Sequence, residues 1–232
     1  MSRAGGHQVD GGLCVQYGCG LVAPSGWLSF DASPSLWLQR LPVVGGLVAS
    51  VLPITRYPKQ AAYGDVTRRL PVRDESAACV YCSHLLEHLT RFDCRKALAE
   101  TFRILRPGGI FRMVLPDLAL LVKRFNESED IGRAHVFMRD SLLGTESRPR
   151  GLRRVLPAMF THGDHQWMWE QRSLTKELHD SGFENIRRAT IGDSGIAAFE
   201  PVEDERRWTD SLGMQCNKPL DGEARASSEK RN

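Results

Sequence analysis

Short apolar runs alternate with longer stretches of helical spacing along most of this chain. LCVQY at 13–17 predicts a strand that stops at Gly18-Cys19-Gly20, and WLSF at 27–30 predicts a second that ends at Asp31. Residues 34–52 carry apolar positions at helical spacing and predict one or two short helices. A third short strand is expected to end near Gly64-Asp65, and AACVYC at 77–82 to form a fourth. The clearest helix follows: Asp93 can cap it, Ala97, Leu98, Phe102 and Leu105 share a face, and Arg106-Pro107-Gly108-Gly109 stops it. IFRMVL at 110–115 predicts a fifth strand, succeeded by Pro116-Asp117 and a helix from Leu118 to about Phe125. Residues 130–162 look helical, Ser173 is expected to cap a helix over 174–181 that closes at Gly182, and NIRRATI and SLGMQC predict two late strands.

Strands alternating with helices imply an α/β fold, a mostly parallel sheet with helices on both faces. In such sheets ligands sit beyond the carboxyl ends of the strands. That draws attention to Gly18–Gly20, Asp31, Asp65, Ser83-His84 and Pro116-Asp117. Two glycines after the first strand let a backbone approach a ligand closely. An acidic side chain ending the second strand can accept hydrogen bonds from ribose hydroxyls, or cap the next helix. Asp65 could meet an adenine amino group while Val66 covers the ring, although Gly64-Asp65-Val66 also suits a plain turn. With Pro24 and Gly26 before Trp27, there is little room for a first helix aimed at a pyrophosphate, which favours a nucleoside ligand without one.

Here the chain resembles the class I S-adenosylmethionine-dependent methyltransferases, and among them small bacterial methyltransferase-domain proteins of the type 11 kind. The segments that carry the resemblance are VQYGCG (15–20), GWLSFDASPS (26–35), YGDVTRRLPV (63–72), VYCSHLLEHL (80–89), RILRPGGIFRMVLPDL (103–118), HQWMWE (165–170) and LHDSGFENIRRA (178–189). It implies a Rossmann-like, doubly wound, seven-stranded sheet with an antiparallel last strand, and S-adenosyl-L-methionine as cofactor. It places the cofactor site on Tyr17, Gly18, Cys19, Gly20, Asp31, Ala32, Asp65, Val66, Ser83 and His84. Gln16 stands where many relatives carry an acidic residue, and Ala77-Ala78 where Phe-Asp is typical.

VYCSHLLEHL also holds H-x-x-E-H, the zinc-peptidase pattern, in His84, Glu87 and His88. Cys79 and Cys82 differ by three positions on a strand and therefore point to opposite faces, so they cannot chelate one ion. The strand-end setting favours the cofactor reading: Ser83 and His84 face the cofactor, and Glu87 suits a helix N-terminus. No metal is expected. A hydroxyl acceptor needs a base, and the candidates are His84, His88 and His165, with His162 and Asp164 nearby. His165, Trp167 and Trp169 could line an acceptor pocket.

The reading is therefore methyl transfer to a small-molecule or saccharide acceptor, at a hydroxyl. The alternatives left open are an inactive cofactor-binding or scaffold protein and, remotely, the peptidase. A net charge of +3 in 232 residues gives no case for nucleic acid binding. Arg148, Arg150, Arg153 and Arg154 gather as an exposed face or an anion site. The apolar run 41–54 is too short and broken to span a membrane, the six cysteines suit reduced thiols in the cytoplasm, and a homodimer is left open, with Trp27 and Trp37 as core or interface residues. One domain is expected over 13–218, with a helical insert at 34–58 and a variable region at 130–162, between a flexible start (1–12) and a disordered tail (219–232).

Overall fold

The computed structural model describes residues 12–42, 55–144 and 164–220. The flexible start, most of the tail, part of the 34–58 insert and of the 41–54 run, the arginines from Arg148 to Arg154, and His162 lie outside the described residues.

Among the described residues seven strands form one sheet: β1 (Leu13–Tyr17), β2 (Trp27–Asp31), β3 (Ala61–Tyr63), β4 (Ala77–Ser83), β5 (Leu105–Pro116), β6 (Glu184–Ala189) and β7 (Ser211–Asn217). Their order is β3-β2-β1-β4-β5-β7-β6. Pairings from β3 to β5 are parallel, and β7 runs antiparallel to both β5 and β6. The antiparallel last strand expected from the resemblance is thus β7, inserted between β5 and β6. β1 reaches β2 through turns at residues 18–26 with no helix, as Pro24 and Gly26 predicted.

Among the described residues the α-helices are α1 (Pro34–Gln39), α2 (Arg91–Ile104), α3 (Leu118–Glu127), α4 (Arg133–Asp140), α5 (Gln171–Asp180) and the single turn α6 (Glu205–Trp208). Two caps differ from expectation. Thr90, not Asp93, caps α2: its hydroxyl accepts from Asp93 N, while Asp93 sits in the first turn. Glu170, not Ser173, caps α5, and Ser173 is the reciprocal partner of a capping box. The stop predicted at 106–109 comes earlier, because Leu105 already pairs with Ala77 and the Pro107-Gly108-Gly109 segment is drawn into β5 across a register shift.

Alternation along the central strands sorts side chains onto two faces. Val15, Val80, Cys82, Phe111 and Met113 pack on one face with Ala97 and Leu98 of α2 and Leu174 and Leu178 of α5. Glu177, nearly buried, joins these helices by receiving Arg91 and Arg95. Cys14, Cys79, Tyr81 and Val114 face the other way and are covered by Phe199, Val202 and Trp208 of the β6–β7 connection. Cys79 and Cys82 do lie on opposite faces, and all six cysteines are buried free thiols. Trp27 is core, whereas Trp37 is 49% exposed.

Arg112 stands on this second face with no exposed surface. Its guanidinium donates to Glu203, to Asp193 Oδ1 (2.8 Å), to Gln215 Oε1 (2.9 Å) and to the Thr190 carbonyl (2.5 Å), and it lies 4.7 Å from the Trp208 ring centroid. These contacts bind the whole β6–β7 connection to the sheet. Burial would raise the Asp193 carboxyl, but Arg187, the Thr190 N–H and Arg112 together hold it well below the usual carboxylate range.

Arg112→Leu leaves Glu203 buried without a counter-charge and is expected to cost about 3–5 kcal/mol in chemical denaturation. The stability linked to Asp193 is fully present above the unfolded carboxyl value, about 3.9, and is lost as pH falls towards its depressed native value. Asp193→Asn should flatten that acid limb of the stability profile.

Candidate functional site at the strand ends

The first strand ends in a loop that only glycine builds easily. Gly18 and Gly20 have φ of 65° and 53°, the left-handed region that costs other residues roughly 1–2 kcal/mol. A Cβ on Gly18 would also lie 2.9 Å from the Leu85 Cβ. Gln16, where an acid was usual, is buried and structural: its amide donates to the Val22 carbonyl and to Ser29 Oγ, both at 2.8 Å, tying the loop to β2. Asp31 completes the tie. Its Oδ2 accepts from Gly20 N (3.0 Å), and its Oδ1 from Ser33 N (2.8 Å) and the Tyr57 hydroxyl (3.4 Å). One carboxylate therefore orients the glycine loop, the start of α1 and Tyr57.

Two adjoining cavities open over these strand ends, of about 450 and 290 Å³. They share Gly18, Ala32, Leu85 and His88. The larger is walled by Gly20, Asp31, Tyr57, His84 and Arg207, the smaller by Tyr17, Asp65, Val66 and Gln166. Asp65 is partly committed already: its Oδ1 accepts from Thr67 N and Thr67 Oγ1, at 2.9 and 2.7 Å. This is the plain turn foreseen as the simpler reading, with a carboxylate that still borders the cavity.

Two expected cofactor residues do not reach the cavities. Cys19 turns inward against Leu36 and Ala61, where burial pushes its thiol up to about 12. Ser83 is buried, and its carbonyl and hydroxyl accept from Arg207 at 3.3 and 3.2 Å. Arg207, in the β6–β7 connection, stood out in no motif. It reaches the site because Arg112 holds its segment down, and its guanidinium approaches the space above Gly20.

The histidines converge. His84, at φ 49°, is outside the Leu86–His88 turn, so it does not share a regular helix face with His88 as the peptidase pattern requires. His84 Nε2 is 2.9 Å from the Arg207 carbonyl, and its Nδ1 is 3.3 Å from Glu87 Oε1. Burial, the largest influence, lowers the His84 pKa, but Glu87 and the Arg207 carbonyl turn the net shift upward. Burial also dominates at His165 and there the net shift is downward, towards the neutral ring. The rings of His88 and His165 meet edge-on, 4.9 Å between centroids. Glu87 does lie in the first turn of a short 3-10 helix, Leu86–His88, and is fully buried there. Trp169 is likewise a core residue, 1% exposed, and not part of an acceptor pocket, while Trp167 is half-exposed beneath Arg91.

The residues present fit an adenosine-bearing cofactor. The side-chain-free glycine loop lies against a carboxylate whose Oδ2, with one donor, retains acceptor capacity, and the cavity volumes fall in or near the range of small-molecule sites.

Residues 52–113 match the model of a methyltransferase domain. No curated protein matches the sequence. Among solved structures, a chain from the complex between the Haloferax volcanii Trm112 methyltransferase activator and a methyltransferase is similar at 18% identity, covering 90% of this chain and 83% of that one, with a TM-score of 0.48. A SAM-dependent methyltransferase of Thermotoga maritima is also 18% identical, covering 89% and 82%, with a TM-score of 0.46. A methyltransferase structure from Bacillus halodurans is 14% identical, covering 89% and 92%, with a TM-score of 0.44. What each of these binds or assembles with belongs to that protein.

Gly18→Ala combines left-handed backbone with a collision against Leu85. It should lower thermal stability by about 1–3 kcal/mol, and by more than Gly192→Ala, where φ is 75° but nothing lies within 4 Å of the new Cβ.

Proposed function

We propose that the chain, whose residues 52–113 match a methyltransferase-domain model and whose sheet has the order β3-β2-β1-β4-β5-β7-β6, is a class I S-adenosylmethionine-dependent methyltransferase that methylates a hydroxyl of a small-molecule or saccharide acceptor in the cytoplasm. The observation that carries this reading is the wall common to both cavities. It sets an imidazole, His88, beside Gly18 of the glycine loop, in a cavity that Asp31 also lines. No helix among the described residues is long and apolar enough to cross a membrane.

Gly18 and Gly20 would admit the cofactor's methionine part, Asp31 the ribose hydroxyls, and Asp65 with Val66 the adenine. Bound there, S-adenosyl-L-methionine supplies a methyl group on a positively charged sulfur. The chain's remaining tasks are to align the acceptor and take up its proton, since positioning supplies much of the rate in such a displacement.

His88 is the base this geometry favours. Its Nδ1 is 3.2 Å from the Asp164 carbonyl. A carbonyl only accepts, so Nδ1 carries the proton and Nε2 the basic lone pair. His84 is a positioning residue: one nitrogen donates to the Arg207 carbonyl and the other faces Glu87. His165 braces the His88 ring.

Calorimetric titration with S-adenosylhomocysteine should give micromolar binding, weakened at least about tenfold, or 1.4 kcal/mol, by Asp31→Ala in protein of unchanged circular dichroism. No binding by the unaltered chain would overturn the cofactor assignment. Across a panel of hydroxylated acceptors, His88→Ala should lower turnover by about 10²–10⁴ while leaving S-adenosylhomocysteine affinity within a few-fold. Retained cofactor binding with no turnover on any acceptor would favour a binding or scaffold protein instead.

A further inference from the structure

Glu87 has no exposed surface, and neither of its carboxylate oxygens accepts a hydrogen bond within the described structure. The His84 Nδ1 contact at 3.3 Å is close enough for charge but does not meet hydrogen-bond geometry. A buried carboxylate left in this state is costly unless a cation balances it. What surrounds it is a set of imidazoles, and each is held by a backbone carbonyl. His84 Nε2 lies 2.9 Å from the Arg207 carbonyl, His88 Nδ1 3.2 Å from that of Asp164, and His165 Nδ1 2.7 Å from that of Ser141. Each carbonyl forces the proton onto the nitrogen it faces, so in the neutral ring the lone pair is on the other nitrogen. Imidazoles anchored in this way through one nitrogen are the common supporting arrangement of metal ligands. The chain also draws the returning segment onto the turn, for the Glu87 carbonyl accepts from both Gln166 N (2.7 Å) and Trp167 N (3.2 Å).

We propose that Glu87, His88 and His165 form a binding site for one divalent transition-metal ion of the zinc class, beneath the cleft at the strand ends. A ligating atom of each residue lies within 4.8 Å of the others. Bonds of about 2.0–2.1 Å to a tetrahedral ion draw such atoms to roughly 3.4 Å apart, a closure of at most about 1.4 Å that side-chain rotation can provide. Two imidazoles and a carboxylate select zinc, cobalt, manganese or iron(II) over calcium or magnesium. His84 Nδ1 lies 3.3 Å from Glu87 Oε1. This is not the peptidase arrangement, because Glu87 is a ligand here and His165 comes from a distant segment.

The site stands on these residues alone; its role rests on the methyl-transfer reading. His88 lines both cavities, so an open coordination position would face the acceptor. A hydroxyl bound there would lose its proton more readily, to solvent in the open cavity, and His88 would then serve as a ligand in place of a base.

The test is titration of the untagged full-length chain, stripped with chelator and dialysed, with Co²⁺ followed by visible absorption and with Zn²⁺ followed by calorimetry. About one ion per chain at micromolar affinity is expected, with Co²⁺ absorption of a low-coordinate nitrogen–oxygen site. His165→Asn and Glu87→Gln should each weaken binding at least tenfold. Circular dichroism and thermal midpoints show whether each variant remains folded, and His165→Asn retains a donor for the Ser141 carbonyl. No saturable Co²⁺ binding, or binding unaltered in a folded His165→Asn, overturns the proposal. S-adenosylhomocysteine titration of the same samples separates the two assignments: nucleoside binding without metal removes only the metal site, and metal binding without the nucleoside removes only the cofactor reading.

Discussion

The architecture at the strand ends depends on one buried cation. Arg112 points from the middle of β5 to a face of the sheet that no long helix covers among the described residues, and it is fully enclosed there. A guanidinium removed from water is tolerated only when its donors are satisfied and its charge is countered. Glu203, Asp193, Gln215 and the Thr190 carbonyl do both. Three of these partners come from the connection between β6 and β7, so satisfying Arg112 is the same event as laying that connection on the sheet. Trp208 and Phe199 then cover the face, and Arg207, beside Trp208, arrives above Ser83 and Gly20. Electrostatics on one face of the sheet thereby shape a cleft at its end.

Much of this was legible in the sequence. Alternating apolar runs ended by glycine, proline or aspartate located all seven strands, because an inner strand must bury both faces and must stop where backbone leaves the ladder. The short β1–β2 link followed from Pro24 and Gly26. Asp31 took its place beside the glycine loop as its position implied. The caps were misplaced by three residues in α2 and in α5. In a reciprocal pair such as Thr90 with Asp93, or Glu170 with Ser173, either side chain is a credible cap, and only backbone geometry shows which one precedes the helix.

The misses share one cause. Arg112 sits at an alternating position of IFRMVL that solvent would normally claim, and it is buried only because a segment eighty to ninety residues away folds over it. Glu87 looked like a charge at a helix start and proved fully enclosed, since the segment from Gln166 onward closes over its turn. Trp169 looked like a pocket aromatic and became core, bridged to Asp117 at the end of β5. Local pattern reports what a side chain prefers. It does not report which distant segment will arrive to cover it.

The sheet order carries a consequence for synthesis. β7 lies between β5 and β6 and leaves the ribosome after both. Until Ser211–Asn217 emerges, β5 offers a bare edge and β6 has no neighbour to pair with, a state prone to association with other chains. The nascent chain can assemble β3 to β5 and the glycine loop early. It cannot position Arg207, or close the wall that Arg207 provides, until that final strand slots home, so competence at this cleft is the last property the growing polypeptide acquires.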